Sequence, residues 1–237
     1  MEQLDNKTVL ITGGSKGIGY AIAETLIKQN MNVVLTSRHL AGAEKAATNL
    51  NKLGPGRAVG VAADVRDSEQ QKAAVQRSIS EFGALDVLIA NAGLGHFVSV
   101  EDMTNEQWNE TIETNLTGVF YSVKASLAAL KKSKGYIITI ASLAGTNFFA
   151  GGAAYNASKF GLVGFSQAIM LDLRKLGIKV TTIMPGSVSS YFAGREPADD
   201  WRIQPEDLGQ MVMDLLKMPA RTLPSKIEVR PSIPPGS

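Results

Sequence analysis

Tyr155 and Lys159 are the two residues whose types and spacing point most directly to chemistry. They lie four positions apart in Tyr155-Asn156-Ala157-Ser158-Lys159, so in a helix they would stand one turn apart on the same face. An ammonium group beside a phenol favours the phenolate and lowers the pKa of the tyrosine. The pair therefore predicts proton exchange near neutral pH, which could reduce a carbonyl or oxidise an alcohol beside a bound nicotinamide.

A glycine-rich segment near the N-terminus could hold the phosphates of a dinucleotide. It reads Thr12-Gly13-Gly14-Ser15-Lys16-Gly17-Ile18-Gly19, directly after a predicted strand and at the start of a predicted helix. Gly13 would permit the tight turn, Gly17 would let the backbone approach a pyrophosphate, and Gly19 would let helix and strand pack closely. The helix N-terminus would favour the anion. The spacing is longer than in the common dinucleotide fingerprint, and a purely structural turn is the alternative.

The end of the second predicted strand, Thr36-Ser37-Arg38, bears on the choice of dinucleotide. Sites that take the cofactor without a 2′-phosphate usually place an acidic residue there, which accepts hydrogen bonds from the ribose hydroxyls. Arg38 can instead hold a 2′-phosphate through charge-assisted hydrogen bonds, and Lys16 could reach the same phosphate. NADP(H) is therefore favoured over NAD(H); the alternative is that both side chains are solvated surface charges.

Short β-branched runs alternate with helix-length stretches along the chain. Continuous apolar runs are typical of parallel strands covered on both faces, and the alternation predicts an α/β doubly wound parallel sheet with helices on both faces. The predicted strands are 8–11, 33–36, 58–61, 87–89, 136–140 and 180–183, and the predicted helices are 20–29, 41–53, 68–82, 106–130 and 157–176. Residues 219–237 are predicted to form an edge strand, 227–229, and a terminal tail.

The composition favours one globular domain over residues 1–237, since 44% of the residues are hydrophobic and can bury a substantial core. With 24 basic and 22 acidic residues the net charge is +2, and the basic residues are scattered, so no nucleic-acid partner is expected. The absence of cysteine excludes disulfides and fits a reducing compartment. No apolar run approaches the roughly 20 residues of a membrane span, and no cluster of His, Asp and Glu suggests a metal site. We therefore expect a cytoplasmic protein with no membrane partner.

The chain is similar to the short-chain dehydrogenase/reductase family across nearly its whole length. The matching segments, in the family's order and at its usual spacing, are 12–19, Asp64-Val65, Asn91-Ala92-Gly93, Asn115, Ser142, 155–159 and Pro185-Gly186. The resemblance implies a single-domain, Rossmann-like sheet and an NADP(H)-dependent enzyme that acts on CH–OH and C=O groups. It also implies a homo-oligomer, a dimer or a tetramer, in which helices 106–130 and 157–176 pack against symmetry mates.

The resemblance also implies roles for four catalytic residues. Ser142 would donate a hydrogen bond to the substrate oxygen, where negative charge grows during hydride transfer, and Tyr155 would deliver the proton as general acid. Lys159 would hold the nicotinamide ribose, and Asn115 would hold a water that links Lys159 to bulk solvent. Taken singly, each residue has a structural alternative: a cap for Ser142, a turn for Asn115 and packing for Tyr155.

The cofactor contacts that we expect combine the glycine segment, the end of the second strand and the family's other motifs. Asp64 and Val65 would contact the adenine, Asn91-Ala92-Gly93 would close the cofactor site, and residues after 184 would flank the nicotinamide. Ser190 stands where the family often has a threonine, and it keeps the hydroxyl. The full set is Gly13, Ser15, Lys16, Gly17, Ile18, Gly19, Ser37, Arg38, Asp64, Val65, Asn91, Ala92, Gly93, Tyr155, Lys159, Pro185, Gly186, Val188 and Ser190.

The substrate pocket is expected to be apolar and aromatic, which suits a hydrophobic or aromatic ketone. The expected substrate contacts are His96, Leu143, Phe149 and Tyr191. His96 could be a substrate ligand or an acid, but loop histidines are often simply solvated.

Three functions remain open at this point. The first is an NADPH-dependent carbonyl (keto) reductase. The second, which many family members of this length perform, is a 3-oxoacyl-[acyl-carrier-protein] reductase of fatty-acid synthesis; it would need a basic patch to meet an acidic carrier protein. Arg195 and Arg202 are too few to decide between them. The third is a non-catalytic NADP(H)-binding sensor, although relatives of that kind commonly lose the tyrosine or the lysine, and this chain keeps both.

Overall fold

The structure, a computed structural model, describes residues 4–194, 196–198 and 201–234. Its parallel strands form one sheet in which the chain order reverses once. The strands are β1 (Thr8–Ile11), β2 (Asn32–Ser37), β3 (Ala58–Ala62), β4 (Val87–Ala90), β5 (Tyr136–Ile140), β6 (Lys179–Pro185) and β7 (Lys226–Val229). They lie in the order β3-β2-β1-β4-β5-β6-β7. The reversal between β1 and β4 opens a crevice at their carboxyl ends, where sheets of this kind bind ligands.

Helices cover both faces of this sheet. They are α1 (Gly17–Lys28), α2 (Leu40–Leu50), α3 (Ser68–Phe82), α4 (Asn105–Ile112), α5 (Gly118–Ser133), α6 (Ala153–Leu173) and α7 (Pro205–Lys217). Val9 and Ile11 of β1 pack with residues of α1, α2 and α7, whereas Leu10 packs with residues of α3, α5 and α6. Successive side chains of a strand point to opposite faces, so β1 contributes to two separate cores, one on each side of the sheet. None of the described helices is long and apolar enough to cross a membrane.

The predicted strands, including the edge strand 227–229, are confirmed. Helix 68–82 is confirmed to the residue because local signals bound it on both sides. Asp67 accepts hydrogen bonds from the backbone N–H groups of Glu69 and Gln70, and Gly83 ends the helix at φ +81°, a conformation that glycine adopts without strain. The end of the predicted tail, 235–237, and Arg195 lie outside the described residues.

The helices differ from the sequence prediction in three ways that bear on the site. The predicted helix 106–130 is interrupted by a π-helical turn, Glu113–Thr117, between α4 and α5. The helix predicted from 157 begins at Ala153, which brings Tyr155 into the same helix as Lys159. Helix α7 was not predicted, and its apolar face, which includes Leu208 and Val212, is fully buried against α1 and the sheet.

Candidate active site

The glycine segment forms a turn at the carboxyl end of β1 that leaves no room for a side chain at Gly13 or Gly19. Gly13 has φ +64°, and a Cβ added to it would lie 2.9 Å from Cα of Ala92. A Cβ on Gly19 would lie 2.5 Å from Nδ2 of Asn91 and 2.6 Å from the carbonyl oxygen of Gly13. The expected roles of Gly13 in the turn and of Gly19 in close packing therefore match the local geometry.

Asn91 joins this turn to the end of β4. Its side-chain amide donates to the carbonyl oxygens of Thr12 and Gly13 at 3.0 and 3.1 Å. The backbone N–H groups of Asn91 and Ala92 donate to Oγ1 of Thr12 at 3.0 and 3.1 Å. The carboxyl ends of β1 and β4 are thus held together at the point where the strand order reverses.

Helix α1 begins at Gly17, which has φ +58°. Lys16 precedes the helix and makes no side-chain hydrogen bond to its first turn, so those N–H groups are free to face an anion. A Cβ on Gly17 would lie 3.6 Å from Cβ of Ser190, which places Ser190 beside the same turn, and Ile18 packs against the core. These residues fit the pyrophosphate of a dinucleotide.

The expected adenosine end of the site carries several charges. Arg38 follows β2 directly, after Ser37, and its NH1 lies 3.8 Å from Oε1 of Glu110. Asp64 accepts hydrogen bonds from Nε and NH2 of Arg66, the shorter at 2.6 Å, and this pairing lowers the pKa of the Asp64 carboxyl. Val65 is buried against α5, where a Cβ on Gly118 would lie 2.8 Å from Cγ2 of Val65. Contact of Asp64 and Val65 with an adenine stays a prediction.

Tyr155, Lys159 and Ser142 meet beyond the carboxyl end of β5. Tyr155 and Lys159 are both buried in α6, and Nζ of Lys159 lies 5.7 Å from the centroid of the Tyr155 ring. Lys159 donates to the carbonyl oxygen of Ile140, the last residue of β5, at 3.1 Å. Ser142 follows two positions later; it is hydrogen-bonded to the Tyr155 phenol and accepts from the N–H of Ala144 at 3.1 Å. The serine is therefore both a cap and a partner of the tyrosine.

The pKa values of this pair do not follow the sequence prediction. Burial raises the pKa of the Tyr155 phenol, and the hydrogen bond to Ser142 opposes that rise only in part. Burial also lowers the pKa of Lys159 to about 8. The prediction that Lys159 lowers the pKa of Tyr155 is wrong for the residues of the chain alone, because withdrawal from water disfavours both charged forms. The chain therefore holds Tyr155 as a neutral phenol, the form that can donate a proton.

Asn115 lies in the π-helical turn between α4 and α5 and is fully buried. Its side chain accepts from the N–H of Leu94 at 2.9 Å and donates to the carbonyl oxygen of Leu94 at 2.8 Å and to Oγ of Ser158 at 3.0 Å. It thus ties the loop after β4 to the helix that carries Tyr155 and Lys159. The expected role in holding a water stays a prediction, and these bonds indicate that Asn115 positions the catalytic pair.

Gly93 and the residues after β6 complete the cofactor side of the site. A Cβ on Gly93 would lie 3.2 Å from Oδ1 of Asn115 and 3.7 Å from Nζ of Lys159, which places Gly93 beside both side chains. Pro185 ends β6, and the N–H of Gly186 donates to the carbonyl oxygen of Val229 at 2.8 Å. Val188 forms an isolated parallel bridge with Ile203.

Three phenylalanine rings gather at the substrate side of Tyr155. The centroids of Phe97 and Phe192 lie 5.4 and 5.6 Å from that of Tyr155, and Phe149 lies 5.8 Å from Phe97. Phe97 and Phe192 also contact each other, with centroids 6.1 Å apart. Aromatic pairs at these separations are favourable contacts. The rings form an apolar wall beside the reacting hydroxyl.

The four residues expected to contact the substrate lie in different surroundings. Phe149 belongs to the aromatic wall, and Leu143 lies beside Gly186, where an added Cβ would be 3.1 Å from Cδ1 of Leu143. His96 and Tyr191 have other partners: Nε2 of His96 lies 2.8 Å from Oε2 of Glu110, and the Tyr191 ring lies 5.8 Å from Nζ of Lys16. In both cases a neighbouring phenylalanine, Phe97 or Phe192, contacts Tyr155 instead. A loop sequence has no periodicity, so the sequence could not show which of two adjacent residues contacts Tyr155.

The site combines a glycine turn that fits a phosphate with Ser142 and the buried Tyr155 and Lys159, all at one end of a parallel sheet. This combination defines a class of nucleotide-dependent oxidoreductases. A family model described as short chain dehydrogenase matches residues 7–201. The chain belongs to the short-chain dehydrogenase family, and it is an oxidoreductase acting on CH–OH and C=O groups.

Similar proteins include enzymes with different substrates. The chain is 37% identical over 199 residues to the 3-oxoacyl-[acyl-carrier-protein] reductase FabG of Escherichia coli, covering 84% of this chain and 80% of that one. It is 39% identical over 194 residues to the trans-4-hydroxycyclohexanecarboxylate dehydrogenase of Sinomonas cyclohexanicum, covering 80% and 75%. The structure superposes with a TM-score of 0.91 and 28% identity on an alcohol dehydrogenase from the archaeon Thermococcus sibiricus complexed with 5-hydroxy-NADP, covering 96% and 97%.

Proposed function

We propose that the chain is an NADPH-dependent carbonyl reductase that acts on apolar or aromatic ketones. The observation that carries this proposal is the wall of Phe97, Phe149 and Phe192 against the ring of Tyr155. A ketone whose carbonyl oxygen reaches the Tyr155 hydroxyl would bury its substituents against these rings, and an apolar or aromatic substituent gains most from that burial.

The chain's own residues account for the protonation half of the reaction, and a bound nicotinamide supplies the hydride. Ser142 and Tyr155 would both hydrogen-bond the carbonyl oxygen, where negative charge develops. Tyr155 would then donate its proton to that oxygen, which suits a phenol whose pKa burial has raised. Lys159, held by the carbonyl of Ile140, would stabilise the phenolate that remains.

Arg38 and Lys16 support NADPH as the reduced cofactor. Arg38 stands where an acidic residue would accept hydrogen bonds from an unphosphorylated ribose, and its side chain is 62% exposed.

Replacing Arg38 with Asp should weaken NADPH binding about 10- to 100-fold, about 1.4 to 3 kcal/mol, while NADH binding changes less. Arg57→Asp, a change at an equally exposed guanidinium that pairs with Glu81, is the control. Equal losses in the two variants would contradict this role for Arg38.

The activity itself is tested by following NADPH consumption with a panel of aryl ketones, diketones and 3-oxoacyl thioesters, and repeating the panel with NADH. Tyr155→Phe should bind NADPH as the parent does and lose about a hundredfold or more in turnover, because it cannot donate the proton. Tyr121→Phe removes the same hydroxyl from α5 and should leave turnover unchanged. Turnover of no aryl ketone or diketone would refute the proposal.

A second candidate, a 3-oxoacyl-[acyl-carrier-protein] reductase, is favoured by the likeness to the Escherichia coli enzyme. It predicts turnover confined to the thioesters in the same panel. Of the two arginines considered for a carrier-protein contact, Arg202 is partly buried and Arg195 lies outside the described residues. A non-catalytic sensor is the third candidate; tight NADPH binding without turnover of any carbonyl would support it.

A dimer or tetramer remains part of this proposal. Four large apolar side chains on α4, α5 and α6, the helices expected to meet symmetry mates, are exposed by two fifths or more: Trp108, Phe120, Phe160 and Leu171. Burial of such residues between copies would stabilise an assembly. Light scattering that finds only a 25.2 kDa species would refute it. A cytoplasmic location is likewise still a prediction.

A further inference from the structure

Glu110 of α4 lies between a guanidinium and an imidazole at the expected adenosine end of the site. Its Oε1 is 3.8 Å from NH1 of Arg38, and its Oε2 is 2.8 Å from Nε2 of His96. The three residues come from different elements: the end of β2, the loop after β4 and the middle of α4. A carboxylate has thus been placed against the guanidinium that we propose for the 2′-phosphate.

The surroundings of Glu110 do not neutralise this carboxylate fully. It borders a cleft of 370 Å³, open to solvent. Arg66, a cation that lines the same cleft, is bound at short range to Asp64, and Glu106 and Glu113 add negative charge there. An anion that approached Arg38 would therefore meet an acidic field together with the guanidinium.

We propose that Glu110 is a specificity-determining residue that opposes the 2′-phosphate of NADP(H) at Arg38. This inference rests on the proposed choice of NADPH. A 2′-phosphate bonded to Arg38 must displace the Glu110 carboxylate and then lie close to its charge, whereas a 2′-hydroxyl carries no charge to repel. Glu110 thus reduces the difference in affinity between NADP(H) and NAD(H), so that the protein can bind both cofactors.

His96 is the positioning residue in this arrangement. Its ring nitrogen is closer to the carboxylate than the guanidinium is, so it draws Glu110 towards the loop after β4. Removal of the imidazole would leave Arg38 as the remaining partner of the Glu110 carboxylate, which would then lie closer to the guanidinium. The effect of His96 on 2′-phosphate binding therefore depends on the presence of Glu110.

The test measures binding by titration calorimetry rather than turnover, with NADP⁺, NAD⁺, 2′,5′-ADP and 5′-AMP as the probes. Glu110→Gln should tighten the two 2′-phosphorylated probes about three- to tenfold, as expected for one charge about 6 Å away in a largely hydrated site. NAD⁺ and 5′-AMP should bind with unchanged Kd. Glu106→Gln is the matched control: it removes another charge of the same cleft one turn earlier on α4, from a side chain held by its own backbone and by Thr104, so it should tighten the same probes less than Glu110→Gln does.

His96→Ala extends the test to a double-mutant cycle. Alone it should weaken NADP⁺ and 2′,5′-ADP about two- to fivefold, and in the Glu110→Gln background it should have no effect on either probe, because the carboxylate through which it acts is gone. An equal effect of His96→Ala in both backgrounds would overturn its positioning role.

The outcomes separate this inference from the proposed function. Parent protein that binds NADP⁺ no more tightly than NAD⁺ would refute the choice of NADPH. If the parent protein prefers NADP⁺ but Glu110→Gln binds it with an unchanged Kd, only the role of Glu110 is refuted. The same holds if Glu106→Gln tightens NADP⁺ binding as much as Glu110→Gln does. Weakened NAD⁺ binding in Glu110→Gln would also refute it, because the carboxylate would then accept bonds from the ribose hydroxyls.

Discussion

Lys159 should reduce the stability of the fold at neutral pH, and its replacement by Met should raise that stability. The side chain is 4% exposed, and burial lowers its pKa from 10.5 to about 8. At about 1.4 kcal/mol per pKa unit, the folded state disfavours the protonated lysine by about 3 kcal/mol. Met has a similar length and no charge, but it loses the bond to the carbonyl of Ile140, about 1 kcal/mol. The expected net gain is about 2 kcal/mol.

The gain should disappear at high pH. Below pH 8 the lysine is protonated in both the folded and the unfolded chain, so the cost of burying the charge is present in full. Between about pH 8 and 10.5 the unfolded chain binds more protons at this site than the folded chain, so the parent protein's free energy of unfolding rises with pH. Above that window both forms are neutral, and Lys159→Met should no longer be the more stable protein.

Urea unfolding and thermal unfolding, both followed by tryptophan fluorescence at several pH values between 7 and 10.5, measure this difference. At pH 7 the melting temperature of Lys159→Met should exceed that of the parent by about 4–8 °C, at roughly 2–4 °C per kcal/mol for a chain of this size. Lys72→Met, a change at a side chain 63% exposed, should shift stability by less than about 0.5 kcal/mol. A less stable Lys159→Met, or a difference from the parent that does not change with pH, would refute the reasoning.

Three further substitutions test other parts of the structure. Gly19→Ala should weaken NADPH binding at least about tenfold in titration calorimetry, because its Cβ would lie 2.6 Å from the carbonyl oxygen of Gly13. The control Gly164→Ala lies in a helix with open space around it, and in thermal unfolding it should stabilise the fold by up to about 1 kcal/mol. Asp67→Ala should lower the free energy of unfolding by about 1 kcal/mol in urea, since it removes the cap of α3. Phe192→Ala should lower kcat/KM for aryl ketones about tenfold through lost burial of the substrate, with NADPH affinity unchanged; an equal loss for small aliphatic ketones would contradict the aromatic wall.

The strands and the chemical motifs could be predicted because their signals are local. A run such as 136–140 is apolar on both faces wherever it lies in a parallel sheet, and the turn of Gly13 needs its positive φ whatever surrounds it. Helix α7 carries no chemical motif, and its start signal, Pro205 in the first turn, is equally common in loops. Its apolar face is buried against α1 and the sheet. The π-helical turn at Asn115 depends in the same way on partners 21 and 43 positions away.

The tyrosine and lysine pair shows where local inference ends. The four-residue spacing predicts that the two side chains are neighbours, and they are neighbours on α6. Whether the phenol then becomes more or less acidic depends on how much water reaches it. That is decided by Phe97 and Phe192, which come from the loops after β4 and β6 and cover the ring. These rings exclude water from Tyr155 and belong to the proposed substrate wall, so Phe192→Ala should also lower the pKa of Tyr155. A change in the pH dependence of turnover that accompanies the loss of aryl ketone specificity would show that the Phe192 side chain controls both.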